Sequence, residues 1–281
     1  MKRFLLALLV AGTTFSAANA QDLKLPALSP TAKIYQAFST SDIEISYSRP
    51  SIRGRKIFGD LVPFNTVWRT GANSATKVKF GEDVTIGGQA VKAGEYALYT
   101  SPGATEWEVI LNKGLGNWGA MGYNTADDIA RFKIKPRALD KTVNTFTMNI
   151  GNITFNSCNL ELMWEKTRLV IPVTSDNNAR LTAAIDKAIT TPNIPYYQAA
   201  SYYYETNQNL DKAYEYVSKA VDANPKAFYM WHLKAKIAQK TGRKADAIAA
   251  ANKSIELTKG TPNEREYQNN NQKVIDAANK M

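Results

Sequence analysis

The sequence predicts a β + α chain: an antiparallel β-sandwich-like domain followed by a short all-α array of helical repeats. Three observations carry this reading. From Lys33 to Val173 apolar residues alternate with polar ones, the two-residue period of half-buried strands. After Val173 the period becomes helical. Beyond residue 193 the chain matches itself at an offset of 34 residues, which marks stacked helical units.

Residues 1–20 stand apart from the fold. Lys2 and Arg3 form a positive start, and Phe4 to Val10 is apolar but too short to cross a bilayer. Ala18-Asn19-Ala20 then has the small-x-small form of a cleavage site. A signal peptide cut near Ala20 is expected, and with it a mature chain in the periplasm or outside the cell. No cysteine directly follows the cut, which leaves no residue for a lipid anchor there. No other apolar run approaches spanning length, so the mature chain is expected to be soluble and not membrane-spanning.

The expected β domain covers residues 29–173. Ile43, Ile45 and Tyr47 point one way while Glu44, Ser46 and Ser48 point the other. The same period returns in Phe146-Met148-Ile150, Leu160-Leu162-Trp164 and Leu169-Ile171-Val173. Gly87-Gly88, Ser101-Pro102-Gly103 and Gly151-Asn152 supply turns, giving about nine or ten short strands joined as hairpins. Strands do not alternate with long helices, so a parallel nucleotide-binding sheet is not expected. Two long stretches, Ser51 to Asn65 and Gly114 to Ala130, break the pattern; such loops in compact domains are usually functional or ordered. The single cysteine, Cys158, alternates with Leu160 and Leu162 and reads as a small buried hydrophobe.

Residues 174–192 form the linker helix. Leu181, Ala184, Ile185 and Ala188 share one face, Ser175 or Asp176 can cap it, and Thr190-Thr191-Pro192-Asn193 stops it. Residues 193–281 hold the repeats: Tyr197 matches Trp231, Tyr204 matches Ala238, Ala213 matches Ala247 and Ala220 matches Ser254. Asn224-Pro225 closes the first unit. The period, the small positions and the terminal proline resemble the tetratricopeptide repeat. The linker helix and a last helix from Asn263 to Asn279 would cap the two units, which cannot bury their faces alone. The resemblance implies that the first helix of each unit lines a concave face. By register that face presents Gln198, Tyr202 and Glu205, then Tyr229, His232, Lys236 and Gln239. This polar and aromatic set suits a peptide segment of a protein partner, and it suits equally packing against the β domain or a second copy.

The formal net charge is +10. Residues 21–173 carry 18 basic against 14 acidic side chains and residues 193–281 carry 13 against 9, so the excess is spread evenly. That is not a nucleic-acid footprint. Attraction to an anionic surface or polymer stays open.

Between Tyr47 and Asn73 the chain concentrates cations and aromatics. Arg49, Arg53, Arg55 and Lys56 fall together with no acid among them, and Arg69 follows beside Trp68. The runs Tyr47-Ser48-Arg49-Pro50, Gly54 to Gly59, Leu61 to Phe64 and Val67 to Asn73 lie in or beside this block. Together with Gly94 to Tyr99, Trp107 to Lys113 and Trp118-Gly119, they make residues 29–173 resemble the family known as domain of unknown function 2911. That resemblance implies export in Gram-negative bacteria and a familiar helical-repeat companion; the family has no assigned activity, so it bears on architecture and location more than on function.

The block admits two chemistries. In one, Arg49 and Arg69 form a fork for a carboxylate, phosphate or sulfate, with Asn73 beside them and Trp68, Trp118 or Tyr123 as stacking platforms for a carbohydrate-like ligand. In the other, the arginines tie loops to strands through backbone carbonyls, and Trp68 is core. His232 is the only histidine and lies in the helical half, so neither a Ser-His or Cys-His nucleophile nor a His-ligated metal is available to the β domain. Asp127-Asp128 after Asn124 reads as an oxygen-only cation site or as a helix start, without the EF-hand spacing. Glu106 and Glu108, about 7 Å apart on one strand face, are the available acid/base pair. The resulting expectation is a non-enzymatic ligand- or protein-binding module of the bacterial envelope, with no cofactor and no metal. The alternatives are a hydrolase of envelope or carbohydrate polymers using carboxylates, and a purely structural module.

Overall fold

The computed structural model describes residues 25–191 and 194–281. The expected signal peptide lies outside them, as do Pro192 and Asn193 of the expected helix stop. The β half contains strands β1 (Thr31–Phe38), β2 (Ser41–Ser48), β3 (Thr76–Phe80), β4 (Val84–Ile86), β5 (Gln89–Val91), β6 (Gly94–Ser101), β7 (Trp107–Asn112), β8 (Asp128–Ile134), β9 (Arg137–Gly151) and β10 (Ser157–Ser175). They form a six-stranded sheet, β1-β2-β3-β6-β7-β8, and a four-stranded sheet, β5-β4-β10-β9. Every pairing between these strands is antiparallel.

The alternation read from the sequence points into the space between the sheets. Ile43, Ile45, Val78 and Phe80 from one sheet meet Phe146, Leu160, Leu162 and Ile171 from the other, all buried. Aromatic rings fill the centre. Trp68 stacks on Trp164 with centroids 5.9 Å apart, and Phe146 meets Trp68 edge-on at 5.4 Å. Phe58 adds a contact to Trp107 at 4.7 Å. Cys158 is buried in the same core, and burial pushes its thiol up to about 11, so it is held as an inert neutral thiol.

The irregular Tyr47–Asn73 block crosses between the sheets. Leaving β2, it pairs with the outer edge of β9: Phe146 N donates to Pro50 O and Ile52 N to Asn144 O, both at 2.8 Å. This covers an edge that would otherwise be exposed to strand addition. Ile57 and Val62 then plug the core, and Trp68 exchanges two backbone hydrogen bonds with Thr100 of β6. The following turn is strained: Thr70 sits at φ 53°, a region β-branched residues avoid. It is held from both sides, by Trp68 Nε1 donating to Gly71 O at 3.0 Å and Thr76 Oγ1 donating to Thr70 O at 2.6 Å. Gly71 lies at φ 153°, and a Cβ there would come within 3.0 Å of Ser48 O.

The helices are α1 (Asn178–Ala188), α2 (Tyr196–Glu205), α3 (Leu210–Ala223), α4 (Phe228–Lys240), α5 (Lys244–Thr258) and α6 (Glu264–Asn279). α2 with α3 and α4 with α5 are the two repeats, and α6 packs on α5. Ala213, Ala220, Ala247 and Ser254, the small residues of the 34-residue match, are all buried, which lets neighbouring helices approach closely. The start of α1 differs from the expected Ser175 or Asp176 cap. Asn177 occupies the cap position, and its side chain turns to Ser39 Oγ at 2.6 Å and Glu82 instead of to the helix. A tertiary partner has outcompeted the local one.

Glu82 is the centre of that junction. Its carboxylate accepts from Thr40 Oγ1 at 2.6 Å, Ser175 Oγ at 3.0 Å and Arg180 at 3.3 Å. Burial alone would raise its pKa, but hydrogen bonds from Thr40, Ser39, Ser175 and Asn177 outweigh it and hold the group below its ordinary range. The stabilisation is therefore fully present above the unfolded carboxylate pKa and is lost as pH falls through the depressed folded value. Glu82→Gln should lower stability by about 2 kcal/mol at neutral pH. Thermal unfolding followed against pH should also show a shallower acid limb than in the parent chain.

Candidate functional site

The arginines of the central block donate to the backbone. Arg49 Nε donates to Phe146 O at 3.2 Å and its Nη2 to Thr147 Oγ1 at 2.9 Å. Arg53 reaches Leu28 O at 3.0 Å, Arg55 reaches Ser51 O at 2.8 Å, and Arg69 reaches Asn73 O at 2.8 Å. Arg49 and Arg69 thus do not converge as a fork on one opening; each fastens a segment that has left its strand. Trp68, read as a stacking platform, is only 9% exposed and belongs to the core, because the crossover must bring a large apolar group to the gap between the sheets. Tyr123 is also committed: its hydroxyl donates to Asp128, accepts from Arg131, and its ring meets Tyr99 edge-on at 5.1 Å.

Asn73 and Trp118 do come together. They border a depression of about 420 Å³ on the outer face of the six-stranded sheet, floored by Ser46, Ser48 and Lys77. Trp118 is 62% exposed, yet its loop is fixed. Gly119 N donates to Asn73 O at 3.1 Å and Ala75 N to Asn117 O at 3.4 Å, while Asn117 Nδ2 donates to Tyr99 OH at 3.1 Å. Gly119 lies flat against the Arg69 guanidinium, where a Cβ would come within 2.8 Å of Nη1. A second depression of about 340 Å³ continues along the strands between Lys33, Tyr35, Glu44 and Glu95, and shares Ser46 and Lys77 with the first. The sequence offered no signal for Lys33, Tyr35, Ser46 and Lys77, since outward residues on alternating strands look alike wherever a sheet face meets water.

The acidic residues are paired. Glu106 meets Lys133 at 3.5 Å and Glu108 meets Arg131 at 2.6 Å. Asn124, not the acid pair, is the N-terminal cap of the 3-10 turn Thr125–Asp127; Asp127 lies within that turn, and Asp128 closes it and opens β8, accepting from Asn112 at 2.9 Å and from Arg131 at 3.0 Å. Among the described residues no group of three or more His, Cys, Asp or Glu could hold a metal ion.

In the helical half, His232, Lys236 and Gln239 line one groove of about 420 Å³ with Tyr204 and, from α6, Asn270 and Lys273. Lys236 and Lys240 lie 4.5 and 5.0 Å from the Tyr204 ring centroid, a double cation–π contact. His232 Nδ1 is 2.8 Å from Asn271 Oδ1. Because Asn271 Nδ2 must donate to the Tyr267 carbonyl at 2.8 Å, its Oδ1 faces the ring, so Nδ1 carries the proton and Nε2 is the acceptor. Burial pulls the imidazole pKa down, with Lys236 adding to it against Asn271 and Glu266. The remaining residues of the expected concave set lie elsewhere. Gln198 borders a separate cavity beside α3, Tyr229 packs on Tyr197, and Glu205 is exposed at the end of α2. Tyr202 is 5% exposed, with its hydroxyl on Asn178 Oδ1 at 3.0 Å and its ring against Phe155 of the β9–β10 loop, so it joins the two halves.

Arg49→Ala should lower the unfolding free energy by about 2 kcal/mol in denaturant titrations, because two bonds from a charged donor are lost. Arg49→Lys should recover only part of it, since an ammonium lacks the fork that spans both acceptors.

A family model described as "Protein of unknown function (DUF2911)" matches residues 29–173. A tetratricopeptide repeat model matches residues 194–226 and 228–261, a repeat architecture used for binding proteins. No curated protein and no solved structure matches the chain. With more than half of its residues covered by the first model, the chain belongs to the DUF2911 family, and its DUF2911 domain is followed by two tetratricopeptide repeats.

Proposed function

We propose that this protein is an exported, non-enzymatic adaptor of the bacterial envelope, which docks an acidic segment of a partner protein in the groove between α2, α4 and α6. The observation that carries the reading is the groove's charge. Lys236, Lys240 and Lys273 face it or its rim, the neutral His232 adds no negative charge, and no carboxylate among the described residues borders it. Glu266, the acid that acts on His232, lies on α6 outside that lining. The tyrosine platform beneath two ammonium groups holds them extended toward a ligand carboxylate, which lowers the ordering cost of binding. The export reading is supported by the charge, apolar run and small-residue cleavage pattern of residues 1–20.

A labelled decapeptide rich in Asp and Glu should bind the full chain in fluorescence anisotropy, more weakly as salt rises. A Lys236→Glu/Lys273→Glu variant should lose roughly tenfold or more in affinity. Equal binding of a Lys-rich control peptide, or an unchanged affinity in the variant, sinks the groove as the docking site. Export is checked separately. Expression of the whole chain in a Gram-negative host should give a periplasmic or secreted protein whose intact mass corresponds to a start after Ala20; an uncut cytoplasmic product overturns it.

A further inference from the structure

The outer face of β1, β2 and β3 is polar and partly open to solvent. Its register forms two cross-strand rows. One runs Lys33, Ser46, Lys77 and the other Tyr35, Glu44, Lys79, Glu95. Rows of this kind are about 7 Å apart along the strands, and Lys33 and Lys77, two strands apart, are separated by about 10 Å at their Cα atoms. Two flexible ammonium groups at that spacing can converge on one anion above Ser46. Neither forms an ion pair among the described residues, whereas Lys79 is held by Glu44 at 2.7 Å. The first row is therefore doubly positive, while the second presents carboxylate acceptors from Glu44 and Glu95.

An aromatic side chain stands at each end. Trp118 borders the depression beside Ser46 and Lys77, and Tyr35, 69% exposed, borders its continuation. Between them lie hydroxyl, amide and ammonium groups and no continuous apolar strip. That pattern fits neither a lipid surface nor a peptide helix, both of which require contiguous apolar area. It fits a pyranose chain: aromatic faces take the sugar C–H surfaces, serines and carboxylates take the hydroxyls, and lysines take a carboxylate. The rigid anchoring of the Trp118 loop by Asn73, Asn117 and Arg69 preorganises one platform before any ligand arrives.

We infer that this face binds a carboxylate-bearing oligosaccharide, with Trp118 and Tyr35 as stacking platforms and Lys33 and Lys77 as the anion-recognising pair. Arg69 is then a positioning residue, acting through the Asn73 carbonyl and Gly119.

The probe is a galacturonic acid trimer titrated into the full chain, followed by tryptophan emission and calorimetry. A neutral galactose trimer and an Asp/Glu-rich peptide serve as comparisons. The acidic trimer should bind and shift the emission of exposed Trp118; Trp68, Trp107 and Trp164 are buried, and the shift should vanish in Trp118→Ala, which leaves half-buried Trp231 of α4 in place. Trp118→Ala should weaken binding roughly five- to tenfold. Lys33→Gln/Lys77→Gln, two substitutions on the outer sheet face, should erase the preference for the acidic over the neutral trimer. The inference is overturned if the acidic trimer leaves the emission unchanged or if the peptide displaces it from this face. It is equally overturned if binding survives these variants but is lost in Lys236→Glu/Lys273→Glu, which would place the ligand in the helical groove.

Discussion

The stack of Trp68 on Trp164 is the contact on which the rest of the β domain depends. Trp164 comes from β10 of the four-stranded sheet, and Trp68 from the irregular segment that returns to the six-stranded one. Burying an indole of roughly 200 Å² is worth about 5 kcal/mol at 25 cal/mol per Å², enough to hold a crossover with little regular structure of its own. Its Nε1–H reaches the Gly71 carbonyl, and so the strained turn at Thr70 and Gly71 is determined from the core. That turn presents Asn73 and Ser74, which in turn receive the Trp118 loop. A buried aromatic pair thereby positions an exposed aromatic on the far face of the sheet.

The cations of the crossover serve the same end. A segment that departs from strand geometry leaves carbonyls without ladder partners, and a buried or half-buried carbonyl is costly to leave unpaired. Arg49, Arg53 and Arg55 supply donors from long, forked side chains to the carbonyls of Phe146, Leu28 and Ser51, and Arg69 adds a second donor to the Asn73 carbonyl that Gly119 N also reaches. The joint between the halves uses the opposite charge: Glu82 gathers hydroxyl, amide and guanidinium donors from β1–β2, β10 and α1. Tyr202 and Phe155 make a second contact across the same joint. The basic helical groove and the polar sheet face are thus carried on one connected framework.

Much of the fold was legible because it follows from periodicity. Alternation at Ile43-Ile45-Tyr47 and Leu160-Leu162-Trp164 requires one buried sheet face, and the 34-residue match requires stacked helix pairs. The candidate site was less legible. An arginine that binds a ligand and one that fastens a loop have the same neighbours in sequence; only the carbonyl it meets distinguishes them. Trp68 and Trp118 both sit next to glycine-containing turns, yet one is core and the other is exposed. Tyr35 and Lys33 carried no signal because a solvated strand face is expected to be polar with scattered aromatics.

By itself, the sequence determined the order of sandwich and helical array, the buried faces of β2, β9 and β10, the small buried positions of the repeats, and the basic balance of both halves. These are properties of local period and composition. Only the tertiary structure decided that the arginine-rich block is a clasp, that Tyr202 joins the halves, and that Lys33, Ser46, Lys77 and Trp118 share one face. Those outcomes depend on which strands lie side by side and in what register. Hydrogen bonds and packing between residues far apart in the chain select that register, and no short window of sequence contains it.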